Sequence, residues 1–162
     1  MTINIRQAKP GDELVILGFI NSLAVYEKLA DEVVATTGLI RETLFVETPK
    51  AFALIAEIDN APVGFALYFF NYSTFLGRHG LYLEDLFVPE TQRGHGVGKA
   101  LLARLAQIAV ENKCGRMEWS VLDWNAPAIA FYKSIGAQAM EGWTINRLTG
   151  DALSALADES VS

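Results

Sequence analysis

Apolar and polar residues change their spacing repeatedly along the chain, and each change predicts an element. Residues 3–8 alternate with the two-residue period of a strand. Pro10-Gly11-Asp12 then turns the chain into a helical stretch that runs to about Lys28, with Leu14, Ile16, Leu17, Ile20 and Leu23 at helical spacing. Residues 37–47 predict a second helix, capped by Thr37. Phe52 to Ile58 reads as a strand, Asp59-Asn60-Ala61-Pro62 as a turn, and Val63 to Tyr72 as the return strand of a hairpin. Leu81 to Val88 is a further strand, stopped by Pro89. From about Gly96 to Asn112 the pattern is helical, with Leu101, Leu102, Leu105, Ile108 and Ala109 on one face. Arg116 to Val121 predicts a strand, and Asn125 to Ser134 a short helix with Gly136 at its end. Trp143 to Leu148 predicts a last strand, and Asp151 to Ala157 a terminal helix.

The order β-α-α-β-β-β-α-β-α-β implies an α+β fold with a mixed, mostly antiparallel central sheet flanked by helices. A chain of 162 residues is expected to form a single domain, 1–162, with a sizeable core. Hydrophobic residues make up 51% and charged residues 20%, which fits a globular protein and not a disordered one. The net charge of −6, from 19 acidic and 13 basic residues, argues against nucleic acid and suits a cationic substrate. The single cysteine, Cys114, excludes an internal disulfide and reads as a small apolar residue, as expected in a reducing cytoplasm. No apolar signal core opens the chain, and no uncharged run reaches membrane-spanning length, so no membrane partner is expected. His79 and His95 do not make a metal site, and none is expected.

The stretch with the most chemistry is Arg93-Gly94-His95-Gly96-Val97-Gly98-Lys99, which lies between an apolar strand and an amphipathic helix. The first N–H groups of a helix have no partner within it, and they sit at the positive end of its dipole. Glycines let an anion approach those groups, and Arg93 and Lys99 add full charges. A nucleotide-hydrolysing P-loop is disfavoured, because Ala100 stands where a hydroxyl residue is needed after Lys99. The dinucleotide fingerprint is disfavoured too, because its third glycine would fall on Lys99 or Leu101. The remaining Arg-x-x-Gly-x-Gly pattern resembles the acetyl-CoA motif of the GNAT acetyltransferase superfamily.

A second pattern, carried by Asn125, Ala128, Phe131, Tyr132 and Gly136, resembles that superfamily's second CoA element. Tyr82 to Val88, Arg93 to Gly98, Trp124-Asn125, Phe131 to Lys133 and Glu141 to Trp143 together resemble the diamine acetyltransferase family. The similarity runs from Ile5 to about Leu156. In the loop from Tyr72 to Arg78, Ser73 stands where the polyamine enzymes of that family carry an acid. This favours the thialysine-like branch, and with it a smaller amine or an amino acid.

The resemblance implies transfer of acetyl from acetyl-CoA to a primary amine within a ternary complex. An ammonium has no lone pair, so a base or a water chain must remove its proton. Glu84, acting through water, is the expected base, and the resemblance points to Tyr132 as the acid for the leaving thiolate. In a regular strand Glu84 and Asp85 face opposite sides, which leaves Asp85 a structural residue. The cofactor positions implied are the backbone of Leu86, Phe87 and Val88, the loop of Arg93, Gly94, His95, Gly96, Val97, Gly98 and Lys99, and Asn125, Ala128, Tyr132 and Lys133. Tyr26, Glu27, Glu84 and Glu141 are carried over as amine-binding positions, and the family implies a homodimer. Acetylation of polyamines or of protein lysines is the alternative activity. An acyl-CoA-binding sensor domain is the non-enzymatic alternative.

Overall fold

The computed structural model describes residues 1–159. They form two compact units, one of Met1–Ser120 and one from Val121 onward. The first contains a five-stranded sheet in the order β1-β2-β3-β4-β5: Ile3–Gln7, Phe52–Ile58, Ala61–Ser73, Arg78–Phe87 and Met117–Trp119. The first four strands pair antiparallel, and β5 pairs parallel to β4. This is the mixed, mostly antiparallel sheet of the α+β class.

Three helices cover the sheet: α1 (Glu13–Tyr26), α2 (Thr37–Leu44) and α3 (Val97–Glu111). Ile16, Phe19 and Ile40 from α1 and α2 pack on Ala53, Ile55, Phe65 and Phe87 of one sheet face. Phe19 and Phe65 stack there with ring centroids 5.4 Å apart. Strand alternation turns Leu54, Ala66 and Leu83 the other way, and α3 buries Leu101 and Leu105. Gly64 permits the close approach of α3, since a Cβ there would stand 3.1 Å from a Val97 methyl. Arg6 ties β1 to the start of α1, donating to Asp12 at 2.7 Å and to Glu57 at 2.8 Å.

The second unit holds α4 (Ala126–Ser134) and α5 (Gly150–Asp158). Asn125 caps α4, its side-chain oxygen accepting from the Ala128 N–H at 3.4 Å. Gly136, at φ +93°, ends it in a Schellman turn with Gly136 N–H to Lys133 C=O and Ala137 N–H to Tyr132 C=O.

Two local expectations need correction. The cap of α2 is Thr36, whose hydroxyl accepts from the Leu39 N–H, and not Thr37. The strand expected over Trp143–Leu148 does not form. Its alternation is real, but a strand needs a ladder partner, and the sheet has none for it among the described residues. Trp143 and Ile145 stay 83% and 78% exposed.

Candidate active site

The end of β4 is where the chemistry gathers. Across the β3–β4 ladder Tyr68 pairs with Leu83, but the next pair is Leu67 with Asp85. Glu84 is therefore the extra residue of a β-bulge, and strict alternation breaks there. Leu67 packs against the α1–α2 core, so its partner Asp85 shares that sheet face. Glu84 is exposed, and Asp85 is partly buried. Burial, then Glu84, then Glu27 push the Asp85 carboxyl up to about 6. Burial also raises the Glu27 carboxyl. Asp85 thus belongs with Glu27 and Glu84 electrostatically. The bulge breaks the regular alternation by which Glu84 and Asp85 were expected to face opposite sides.

Beside this group the β4–β5 ladder covers only Leu81–Leu83 against Met117–Trp119. The two parallel strands pair no further, so the β4 edge from Glu84 onward lacks a neighbouring strand among the described residues. Leu86 and Phe87 keep their β3 partners Ala66 and Phe65 on the other edge. A linear ligand rich in amides could pair along the open side.

Downstream, Pro89 and a short 3-10 turn at Glu90–Gln92 lead into the Gly-rich loop. Gly94 and Gly96 take φ +84° and +82°, the left-handed region open to glycine. Gly96 is the N-cap of α3 and offers no side-chain hydrogen bond to the first turn. The leading N–H groups of α3 therefore lack both a helical acceptor and a capping side chain. A Cβ at Gly94 or Gly96 would meet nothing within 4 Å, so the space over the loop is open. His95 and Lys99 are exposed beside it. Bare donors, open space and positive charge fit a pyrophosphate, and so fit CoA.

Arg93 is placed less simply. Its Nε donates to the Val88 carbonyl at 3.0 Å. Its guanidinium carbon lies 4.9 Å from the Tyr26 ring centroid, so the side chain also faces the end of α1.

In the second unit Asn125 spends its side-chain oxygen on the cap of α4. Tyr132 lies about two turns further along α4, half-buried, with its ring 5.9 Å from that of Phe131. Ala128 is half-buried, and Lys133 and Glu141 are exposed. The structure thus brings Tyr26, Glu27, Glu84, Leu86 to Val88 and Arg93 to Lys99 into the first unit, and Asn125, Ala128, Tyr132, Lys133 and Glu141 into the second.

Comparison with known proteins identifies the family. The model of the Acetyltransferase (GNAT) family matches residues 20–137. Thialysine N-epsilon-acetyltransferase of Bos taurus is 42% identical, over 96% of this chain and 97% of its own. An L-ornithine N5-acetyltransferase of Arabidopsis thaliana is 34% identical, over 96% of this chain and 88% of its own. An integron cassette protein from V. cholerae superposes with a TM-score of 0.81 at 29% identity, over 98% of this chain and 99% of its own. The chain belongs to the GNAT family of acetyltransferases and is an acyltransferase, an enzyme whose family takes acetyl from acetyl-CoA.

Proposed function

We propose that the enzyme acetylates a primary amine of a small cationic substrate, a thialysine- or lysine-like amino acid or a diamine, by direct attack with both substrates bound. The observation that carries this reading is the β-bulge at Glu84, which sets Asp85 half-buried on the α1–α2 face of the sheet, where burial and the charges of Glu84 and Glu27 push its carboxyl up to about 6. That group attracts an ammonium, and it stands at the end of the strand that leads into the Gly-rich loop. The names of the relatives support the substrate class, since thialysine and ornithine are both diamino acids.

Acetyl-CoA supplies an acetyl group activated as a thioester. Arg93, Gly94, His95, Gly96, Val97, Gly98 and Lys99 hold its pyrophosphate. The backbone of Leu86, Phe87 and Val88 pairs with the pantetheine arm and steadies the carbonyl oxygen. Asn125, Ala128 and Lys133 take their cofactor roles from the family pattern. Tyr26, Glu27 and Glu141 favour a cation. Glu84, exposed, takes the ammonium proton through water. Asp85 sits beside it with a pKa near working pH, where a carboxylate is still ionised yet basic enough to share that proton. Tyr132 donates a proton to the departing sulfur.

We read the chain as one acetyltransferase domain acting as a homodimer in the cytoplasm. The family match runs across both compact units, and Trp143 and Ile145 offer apolar surface to a second copy. The test is purified protein with acetyl-CoA and an amine panel of thialysine, lysine, ornithine, 1,3-diaminopropane and spermidine. Turnover is expected on the diamino acids or the short diamine. Efficient spermidine turnover with none on the others would overturn the substrate class. CoA binding without turnover on any amine would favour a sensor domain.

A further inference from the structure

We infer that Arg93, besides meeting the cofactor, is a positioning residue for the amine side of the site, acting through the ring of Tyr26. This rests on the reading of Tyr26 and Glu27 as amine-side residues. The Nε bond to the Val88 carbonyl, at 3.0 Å, anchors the guanidinium at the end of β4. Its carbon then lies 4.9 Å from the Tyr26 ring centroid and 6.0 Å from that of Phe87. The Tyr26 and Phe87 rings are themselves 6.5 Å apart, so one cluster joins α1, β4 and the loop. A planar guanidinium can stack its face on a ring while its edge N–H groups bind an anion, which a lysine ammonium cannot do. The Nη groups are the donors a phosphate would use. The guanidinium carbon lies over the Tyr26 ring.

Tyr26 is the last residue of α1, and Glu27 caps that helix. The next residues lock the turn: Lys28 N–H donates to Val25 C=O at 3.1 Å, and Leu29 N–H to Ala24 C=O at 2.8 Å. This Schellman turn makes Tyr26 and Glu27 move together. Glu27 is one of the charges that raise Asp85. One path thus leads from the cofactor loop to the carboxylates proposed to receive the amine: the Arg93 guanidinium over the Tyr26 ring, the chain from Tyr26 to Glu27, and the charge of Glu27 acting on Asp85. Loss of the guanidinium plane lets the end of α1 drift, and the amine is held less well even when the cofactor is bound.

The test uses Arg93→Lys, Tyr26→Leu, Tyr26→Phe and the double variant Arg93→Lys/Tyr26→Leu. Amine KM and kcat are measured with acetyl-CoA raised to saturation for each variant, and CoA affinity is measured separately by calorimetry. Arg93→Lys and Tyr26→Leu are each expected to raise amine KM roughly 3- to 10-fold with a smaller change in kcat. The double variant should be no worse than the worse single, because both remove one interaction. Tyr26→Phe keeps the ring and should raise amine KM clearly less than Tyr26→Leu does. An unchanged amine KM in Arg93→Lys, effects that multiply in the double variant, or a Phe variant as poor as Leu would each overturn this role alone. A wild-type protein that binds CoA but acetylates no amine would overturn the proposed function and this role with it.

Discussion

Asp85 stands directly across the β3–β4 ladder from Leu67, on the sheet face that α1 and α2 cover. The bulge at Glu84 puts it there, and the position makes its charge costly. Burial, then the charges of Glu84 and Glu27, push its carboxyl up from an ordinary 3.8 to about 6.

Between those two values the folded chain holds a proton that the unfolded chain has lost. Stability therefore falls as pH rises through that window, and the penalty is complete above pH 6. Asp85→Asn is expected to raise the melting temperature at pH 8 by roughly 2–4 °C. The gain should shrink toward pH 4. The same variant should lose the acid limb of kcat/KM near pH 6. Melting scans and rate profiles across pH check both, and a melting gap that ignores pH would count against the assignment.

Gly96→Ala forces a Cβ into the left-handed backbone at the N-cap of α3. The expected cost is about 1–2 kcal/mol of stability. CoA affinity should fall about tenfold as the loop's donors shift. Gly98→Ala is the control, since its Cβ meets only ordinary contacts at 3.8 and 3.9 Å. It should keep the fold's stability or improve it. Urea melts and calorimetric CoA titration separate the two glycines.

Lys28 carries φ +62° in the turn that ends α1, a conformation that costs any residue with a Cβ. Lys28→Gly should stabilise the protein by about 0.5–1 kcal/mol, read from denaturant midpoints. A loss of stability would mean that the lysine side chain contributes more than its strained backbone costs.

Tyr132→Phe removes one hydroxyl from a half-buried helical site. Turnover should drop about 100-fold while CoA affinity stays near wild type. Stopped-assay rates beside CoA titration read the split, and an undiminished rate would remove Tyr132 from the mechanism.

Most elements were legible in the chain because their signals are local. The strand over Phe52–Ile58 matches its predicted ends, and the left-handed turn at Asp59 and Asn60 starts the hairpin that their sequence signals. The helix from Val97 to Glu111 shows the apolar face read from its spacing, with Leu101, Leu102, Leu105, Ile108 and Ala109 all buried. The capped start and glycine end of α4 were legible for the same reason. Trp143–Leu148 shows the limit of such signals. Its pattern is that of a strand, but pairing depends on another segment arriving alongside it.

The Gly-rich loop and the family were set by residue types at short spacing, because left-handed glycines, bare helix N–H groups and nearby cations all act within a few residues. Folding decided what depends on distant segments. The Glu84 bulge exists only when β4 lies against β3, and so it turns Asp85 toward the α1–α2 core. Arg93 reads in the chain as a phosphate ligand and nothing more. Only folding brings it over Tyr26, because the two residues come from different elements and meet where α1 ends against β4.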